Sequence, residues 1–331
     1  MGLERCSSRA YAASVKRLES IQTLRALAAV FVVVFHAMGY ARQSGWHVGI
    51  PIGAFGVDVF FVVSGFVMVL TTQRSTAPGK FLADRLTRIA PLYWFVTTAR
   101  IFVALAVPAL GALRLDPLQV FTSYTFLPWH DSEGLLVPVL PVGWTLTYEM
   151  TFYCAFAALG LRAERLALLF GGMVLFGLAV PLPLIAAWIT DPMLLEFVAG
   201  CAIGLGYTGQ RWWLVAAVAC IALALPDSRA LYWGLPAAIL VGGGVALERW
   251  WPHTILSRLG DSSYALYLIH LFALRAVLAL AAKTFETASP VIAVATAVLA
   301  SIAVGVAAHL FLERPLTTAV RRYRKYAPID L

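Results

Sequence analysis

Ten apolar stretches recur between residues 21 and 312, and most of the charged residues gather at their joints. They cover 21–41, 52–72, 90–110, 143–161, 165–187, 191–208, 211–226, 230–248, 262–283 and 289–312. A helix rises 1.5 Å per residue, so about 20 apolar residues cross a bilayer core roughly 30 Å thick. Only helices and closed barrels satisfy their backbone hydrogen bonds there, and runs of this length select helices. The predicted fold is all-α: a polytopic integral membrane helical bundle of about ten transmembrane helices. The composition agrees, at 61% hydrophobic and 13% charged. A soluble domain has roughly half and a quarter. The stretch 117–129, "PLQVFTSYTFLPW", is too short and too bounded by proline to cross, and is expected to lie at the interface or to re-enter.

Residues 1–20 are polar and basic and lack an apolar core with a cleavage site, so they read as a cytoplasmic tail. Residues 21–312 form the membrane domain and 313–331 a basic C-terminal tail. Placing the N-terminus in the cytoplasm puts 19 of the 25 Lys and Arg inside, four outside and two within spans. This bias predicts N-in, C-in topology in a plasma membrane. The net charge of +8 is then explained by basic loops facing anionic lipid, and no nucleic-acid partner is needed. The four cysteines (Cys6, Cys154, Cys201, Cys220) form no CxxC pair, and three lie in apolar runs. They read as small core residues, with no metal site or disulfide framework.

Ionisable groups inside apolar runs are costly and mark function or helix pairing. In "LRALAAVFVVVFHAMGY" (24–40), Arg25 and His36 are 11 residues apart, which puts both on one helix face, roughly 16 Å apart along the axis. His36, Asp58 and Glu149 each fall within roughly 10 Å of the outer end of their span. A carboxylate beside an imidazole fixes its tautomer and makes a general base. Equally, such groups pin helices together, and a proton-coupled transporter uses the same residue types. On the cytoplasmic side, Lys80, Arg85 and Arg88 follow a Pro78-Gly79 turn. Arg85 and Arg88 are neighbours at i and i+3, fit either to grip phosphate or to anchor lipid headgroups.

Other polar positions carry plainer readings. Asp261 and Ser262 cap a helix, and His270, near Tyr264 and Tyr267, makes a structural hydrogen bond or, alternatively, lines a donor channel. His309 and Glu313 form a surface pair, and Glu196 and Arg275 are candidates to pair across helices. Gly200-x3-Gly204 and Gly242-Gly243-Gly244 allow close helix packing. "RRYRKY" (321–326) is a positive-inside signal.

Six runs, in this order, resemble the membrane acyltransferase type 3 family: "IQTLRALAAVFVVVFHA", "GVDVFFVVSGFVM", "FLADRLTRIAPLYW", "VGWTLTYEMTFYCAF", "LGDSSYALYLIHL" and "LERPL". "IQTLRALAA" and "PVLPVGWTLTYEM" are most similar to the exopolysaccharide O-acetyltransferases of the succinoglycan type. The resemblance implies a bacterial inner-membrane O-acyltransferase. Its co-substrate would be acyl-CoA, commonly acetyl-CoA, with no bound cofactor. Its acceptor would be a hydroxyl of a carbohydrate or lipid-linked glycan. It implies that His36 is catalytic with Arg25 as companion, and that Arg85 and Arg88 bind the donor. Phe60, Phe61, Ser64 and Gly65 match one family motif, and Trp144 and Glu149 another, with Tyr148 beside them lining the site. Thr145 stands where the family often has Ser, and keeps the hydroxyl. His36, oriented by Glu149 or Asp58, would act as base or carry the acyl group. The alternatives are a transporter or flippase without transfer chemistry, and a scaffold of an export complex.

Overall fold

The computed structural model describes residues 17–43, 54–72, 77–106, 116–130, 136–180, 188–220, 229–284 and 290–326. Outside them lie most of the expected N-terminal tail, with Cys6, and the ends of five expected spans at 52–53, 107–110, 181–187, 221–226 and 289. The described residues are helical throughout, apart from turns and one isolated bridge, His130 to Leu136.

The helices are α1 (Glu19–Gln43), α2 (Phe55–Thr72), α3 (Pro78–Ala106), α4 (Pro117–Thr125), α5 (Trp144–Ala158) and α6 (Ala163–Ala179). There follow α7 (Leu194–Tyr207), α8 (Trp213–Ala219), α9 (Leu235–Ala246), α10 (Ile255–Leu259), α11 (Ser263–Thr284), α12 (Pro290–Ala308) and α13 (Arg314–Tyr326). Proline opens α3, α4 and α12, where its missing N–H has no partner to lose. By length and hydropathy, six stretches can cross a bilayer: Glu19–Arg42, Phe55–Thr72, Pro78–Ala106, Trp188–Tyr207, Ile255–Leu280 and Val291–Arg324. The ranges expected as spans at 143–161, 165–187 and 211–226 hold α5, α6 and α8, of 15, 17 and 7 described residues. Large apolar side chains on the outer surface, among them Phe102, Leu105, Leu299 and Phe311, suit a hydrocarbon surrounding rather than water.

Two boundaries differ from the sequence reading. The span expected to begin at residue 90 belongs to α3, whose 29 residues begin at Pro78, so the expected Pro78-Gly79 turn is the helix's first turn. At 1.5 Å per residue such a helix outruns the bilayer core, and its first turns project with Lys80, Asp84, Arg85 and Arg88. Residues 314–326, expected as tail, are α13, joined to α12 by a π turn at His309–Glu313. Arg324 of α13 ties back to α3, 2.9 Å from Asp84 and 3.0 Å from the Thr87 hydroxyl. We call this end of the bundle, where α1 and α3 begin and α13 ends, the basic end.

α4 holds the segment expected at the interface. Asp116 caps it by accepting from the Leu118 amide at 2.8 Å. Gln119 donates to Val137 O at 2.9 Å, and the Ser123 hydroxyl accepts from the Val139 amide at 2.8 Å. These bonds lead the chain into the turn Pro141–Gly143 that starts α5.

The packing centres on α2. It lies backbone to backbone against α7, because a Cβ on Gly65 would collide with the Phe197 carbonyl and one on Gly200 with the Val62 carbonyl. Phe61, one turn before Gly65, stacks on Phe197 with ring centroids 4.6 Å apart. Gly200 and Gly204 therefore do allow a close approach, whereas Gly243 faces open space. Of the described cysteines, Cys201 is buried at this contact, but Cys154 and Cys220 are exposed rather than core residues. A Gly200→Val protein is expected to lose about 1–3 kcal/mol through overpacking, and Gly243→Val far less. Thermal unfolding in detergent measures the difference.

Candidate active site

The motif at Phe60, Phe61, Ser64 and Gly65 occupies one helix face, since positions i, i+1, i+4 and i+5 share a side. Gly65 lets α2 approach α7, while Phe60, Phe61 and Ser64 line a cavity of about 740 Å³. Its mouth is at the basic end, where Asp84 and Arg321 are exposed and Arg25, Arg85, Arg88 and Arg324 join the wall. Its inner end is lined by Val57, Phe60, Thr145 and Tyr267. The Phe60 and Tyr267 rings meet edge to face at 5.9 Å. The Tyr267 hydroxyl lies 2.8 Å from that of Thr145 and donates to Val142 O at 3.0 Å.

Glu149 projects into the middle of this cavity from α5. Its carboxylate accepts from the Ser64 hydroxyl at 2.6 Å and from the hydroxyl of Tyr153, one turn along the same helix. Ser64 and Tyr153 are themselves 3.1 Å apart. The carboxylate is thus committed to two hydroxyls and holds Ser64 in place on the wall.

Asp58 is elsewhere. Fully buried, it pairs with Arg229, which donates from Nε at 3.0 Å and from Nη2 at 2.7 Å. Arg229 also donates to Ala54 O at 3.2 Å, which fixes the start of α2. This fork on a carboxylate is the strong form of an ion pair. Tyr148 donates to Asp191 at 2.9 Å, and Trp144 packs edge-on against Phe61 and Tyr148 at 6.4 and 5.8 Å. Asp58, Trp144 and Tyr148 brace the wall behind the cavity without lining it.

His36 also lies off the cavity, beyond its Tyr267 end. The partner the structure gives it is His270 of α11, with rings 5.0 Å apart and Nε2 of His270 3.2 Å from Nδ1 of His36. The pairing with Asp58 or Glu149 expected from the sequence does not form. Asp58 is held by Arg229, and Glu149 is turned with Oε1 toward Ser64 and Tyr153. His270 in turn lies 6.1 Å from the Tyr267 ring that ends the cavity.

Backbone carbonyls only accept, and this assigns the tautomers of the neutral pair. His36 Nδ1 lies 2.9 Å from Val32 O, and His270 Nδ1 lies 3.2 Å from Leu266 O. Both Nδ1 atoms therefore carry hydrogen. His36 Nδ1–H is shared between Val32 O and the lone pair of His270 Nε2. His36 Nε2 is left with its lone pair free, the form a general base needs.

Several partnerships are not legible in the sequence: that of Arg229, one of the four outside charges, that of His270, and that of Arg324 in the positive-inside run "RRYRKY". His309 and Glu313 do pair, at 2.7 Å, but buried in the π turn rather than on the surface, with Arg314 donating to His309 at 3.0 Å. Arg275 donates to Tyr40 at 2.8 Å, while Glu196 is buried against Gly234, so those two do not meet. Ser262 donates to Leu259 O at 2.8 Å and Asp261 accepts from Arg17 at 2.8 Å, both structural. Among the described residues, no cluster of His, Cys, Asp or Glu is placed to hold a metal ion.

A membrane protein with a basic-mouthed internal cavity, a part-buried hydroxyl–carboxylate group and a histidine pair has the parts of a group-transfer enzyme. The family model for the acyltransferase domain of type 3 matches residues 18–310. The chain belongs to this family and is a membrane O-acyltransferase. It is 38% identical over 321 residues to the exopolysaccharide production protein ExoZ of Rhizobium meliloti (strain 1021), covering 88% of this chain and 96% of that one. It is 26% identical to the acyltransferase MdmB of Streptomyces mycarofaciens over 95% of both chains. With the peptidoglycan O-acetyltransferase OatA of Listeria monocytogenes it shares 28% identity, over 74% of this chain and 36% of that one. No solved structure matches.

The Asp58–Arg229 pair has a thermodynamic signature. Arg229→Ala leaves a fully buried carboxylate alone and is expected to destabilise the protein by about 3 kcal/mol. Adding Asp58→Asn should recover part of that loss. A double-mutant cycle in detergent reads the coupling.

Proposed function

We propose that this enzyme moves an acetyl group from acetyl-CoA, on the cytoplasmic side, to a hydroxyl of an exopolysaccharide or similar surface glycan. The observation that carries the reading is the cavity, which runs from five arginines at the basic end to the aromatic wall before the histidine pair. A CoA thioester has a matching asymmetry, with phosphates at one end and a neutral acyl group on a long thin arm at the other. Arginine forks suit phosphate, and an internal passage suits the arm. The name of the Rhizobium relative supports an exopolysaccharide acceptor, and that of the Listeria relative supports acetyl as the group moved.

In this reading the bundle crosses the bacterial inner membrane about ten times, with both termini in the cytoplasm. Arg25, Arg85 and Arg88 hold the donor's phosphates, and Ser64 and Glu149 line the path of its arm. The acceptor approaches from the opposite side. His36 Nε2 takes the proton from its hydroxyl as the oxygen attacks the thioester carbonyl, and the CoA thiolate leaves. Carrying the acyl group on His36 is the covalent version of the same transfer. His270 is a positioning residue, whose lone pair steers the His36 Nδ1 proton and so fixes which nitrogen faces the reaction. Either route requires the aromatic closure of Phe60 and Tyr267 to admit the thioester.

The test is a gene deletion restored with variants, reading glycan acetyl content by NMR and membrane levels of the protein by blot. His36→Ala is expected to lower transfer by about 10²–10⁴-fold at normal protein levels. Full acetylation with His36→Ala rejects the reading. His270→Ala is expected to reduce kcat more than it changes the KM for acetyl-CoA, because it disturbs the base and not the donor site.

A further inference from the structure

Arg321 and Arg324 reach the cavity mouth from the part of α13 that follows the "LERPL" run. They are i and i+3, the same spacing as Arg85 and Arg88 on α3, so two arginine pairs on two helices face one opening. The carboxylate among them is Asp84. It lies next to Arg85 in sequence and 2.9 Å from Arg324, whose other bond is to Thr87. Asp84 is 48% exposed and Arg324 31%, so the pair is weak and easily exchanged. Arg85 has a further feature: its Nε is buried without a hydrogen-bond partner.

A pantetheine thioester without a nucleotide carries too little charge for this mouth. The two helices offer four guanidinium groups, with Arg25 deeper in. Phosphate binds arginine forks bidentately and brings more charge than a carboxylate. We propose that Arg321 and Arg324 form a second phosphate clamp, which reads the ribose phosphate monoester of the donor's nucleotide. Asp84 holds Arg324 in place until that phosphate displaces it. The C-terminal helix thereby selects a CoA thioester over an acyl group on a carrier protein or on free pantetheine. This inference rests on the CoA reading given above.

The experiment needs no acceptor. Binding of CoA, dephospho-CoA and pantetheine to the purified full-length protein is measured by calorimetry, at low and high salt. Wild type is expected to bind CoA about tenfold or more tighter than dephospho-CoA, a gap that narrows with salt. Arg321→Ala and Arg324→Ala should each weaken CoA about tenfold and leave dephospho-CoA within about twofold. Asp84→Asn gives the decisive sign. If Asp84 is a placeholder, its removal tightens CoA. If the Asp84–Arg324 pair is only a structural tie, Asp84→Asn weakens CoA as Arg324→Ala does, and the proposal falls. It falls equally if wild type does not distinguish CoA from dephospho-CoA. Exposed Arg321 keeps the test valid should Arg324→Ala not fold. If CoA binds in a way that Arg85→Ala abolishes, yet without phosphate discrimination, only the second clamp is lost. If no CoA binds at all, the donor reading fails with it.

Discussion

Inside a bilayer, a polar side chain has no water to turn to, and the arrangement of this bundle follows from that. Each ionisable group carried into an apolar helix must find a partner on another helix or open onto an internal cavity. Asp58 finds Arg229, Glu149 finds Ser64 and Tyr153, and His36 finds His270. Each pairing fixes the rotation of two helices about their axes. The backbone contact between α2 and α7 at Gly65 and Gly200 then sets the distance at which those rotations operate. The cavity is the space left when these constraints are met together.

The same constraints sort the candidate residues by function. Asp58, Trp144 and Tyr148 are spent on bracing: one on a buried ion pair, one on aromatic packing and one on Asp191. Ser64 and Glu149 face the cavity and are held there by their bond to each other. His36 meets a carbonyl and the His270 ring through the same nitrogen, Nδ1, which leaves Nε2 for another contact. A carboxylate in that place would hold the ring more firmly, and would also put a charge against the acyl path. Pairing imidazole with imidazole gives orientation without net charge.

What the sequence showed and what it hid divide along one line. Properties along a single helix were readable: the apolar runs, the shared face of Arg25 and His36, the i, i+3 spacing of Arg85 and Arg88, and the close packing at Gly200. Properties between helices were not. Asp58 and Arg229 are 171 positions apart, His36 and His270 are 234, and Arg324 and Thr87 are 237. Depth counting placed Asp58, Glu149 and His36 at similar levels, but it carries no azimuth, so it could not say that the three face different neighbours. The C-terminal basic run was misjudged for a related reason. Arginines that bind lipid and arginines that line a cavity have the same composition, and only the return of α13 onto α3 separates them.

The distribution of charge also gives the cavity a direction. Its mouth carries five arginines against one exposed carboxylate. Its inner end is uncharged and largely aromatic, and beyond it lies the histidine pair. A polyanion gains at the first place and would pay a large desolvation cost at the second. A ligand with charge at one end and a neutral reactive group at the other can therefore enter in only one orientation. The binding energy won at the arginines is available to drive the neutral end against Phe60 and Tyr267. For the thioester donor proposed above this would be useful coupling: interactions far from the reacting atoms would position them.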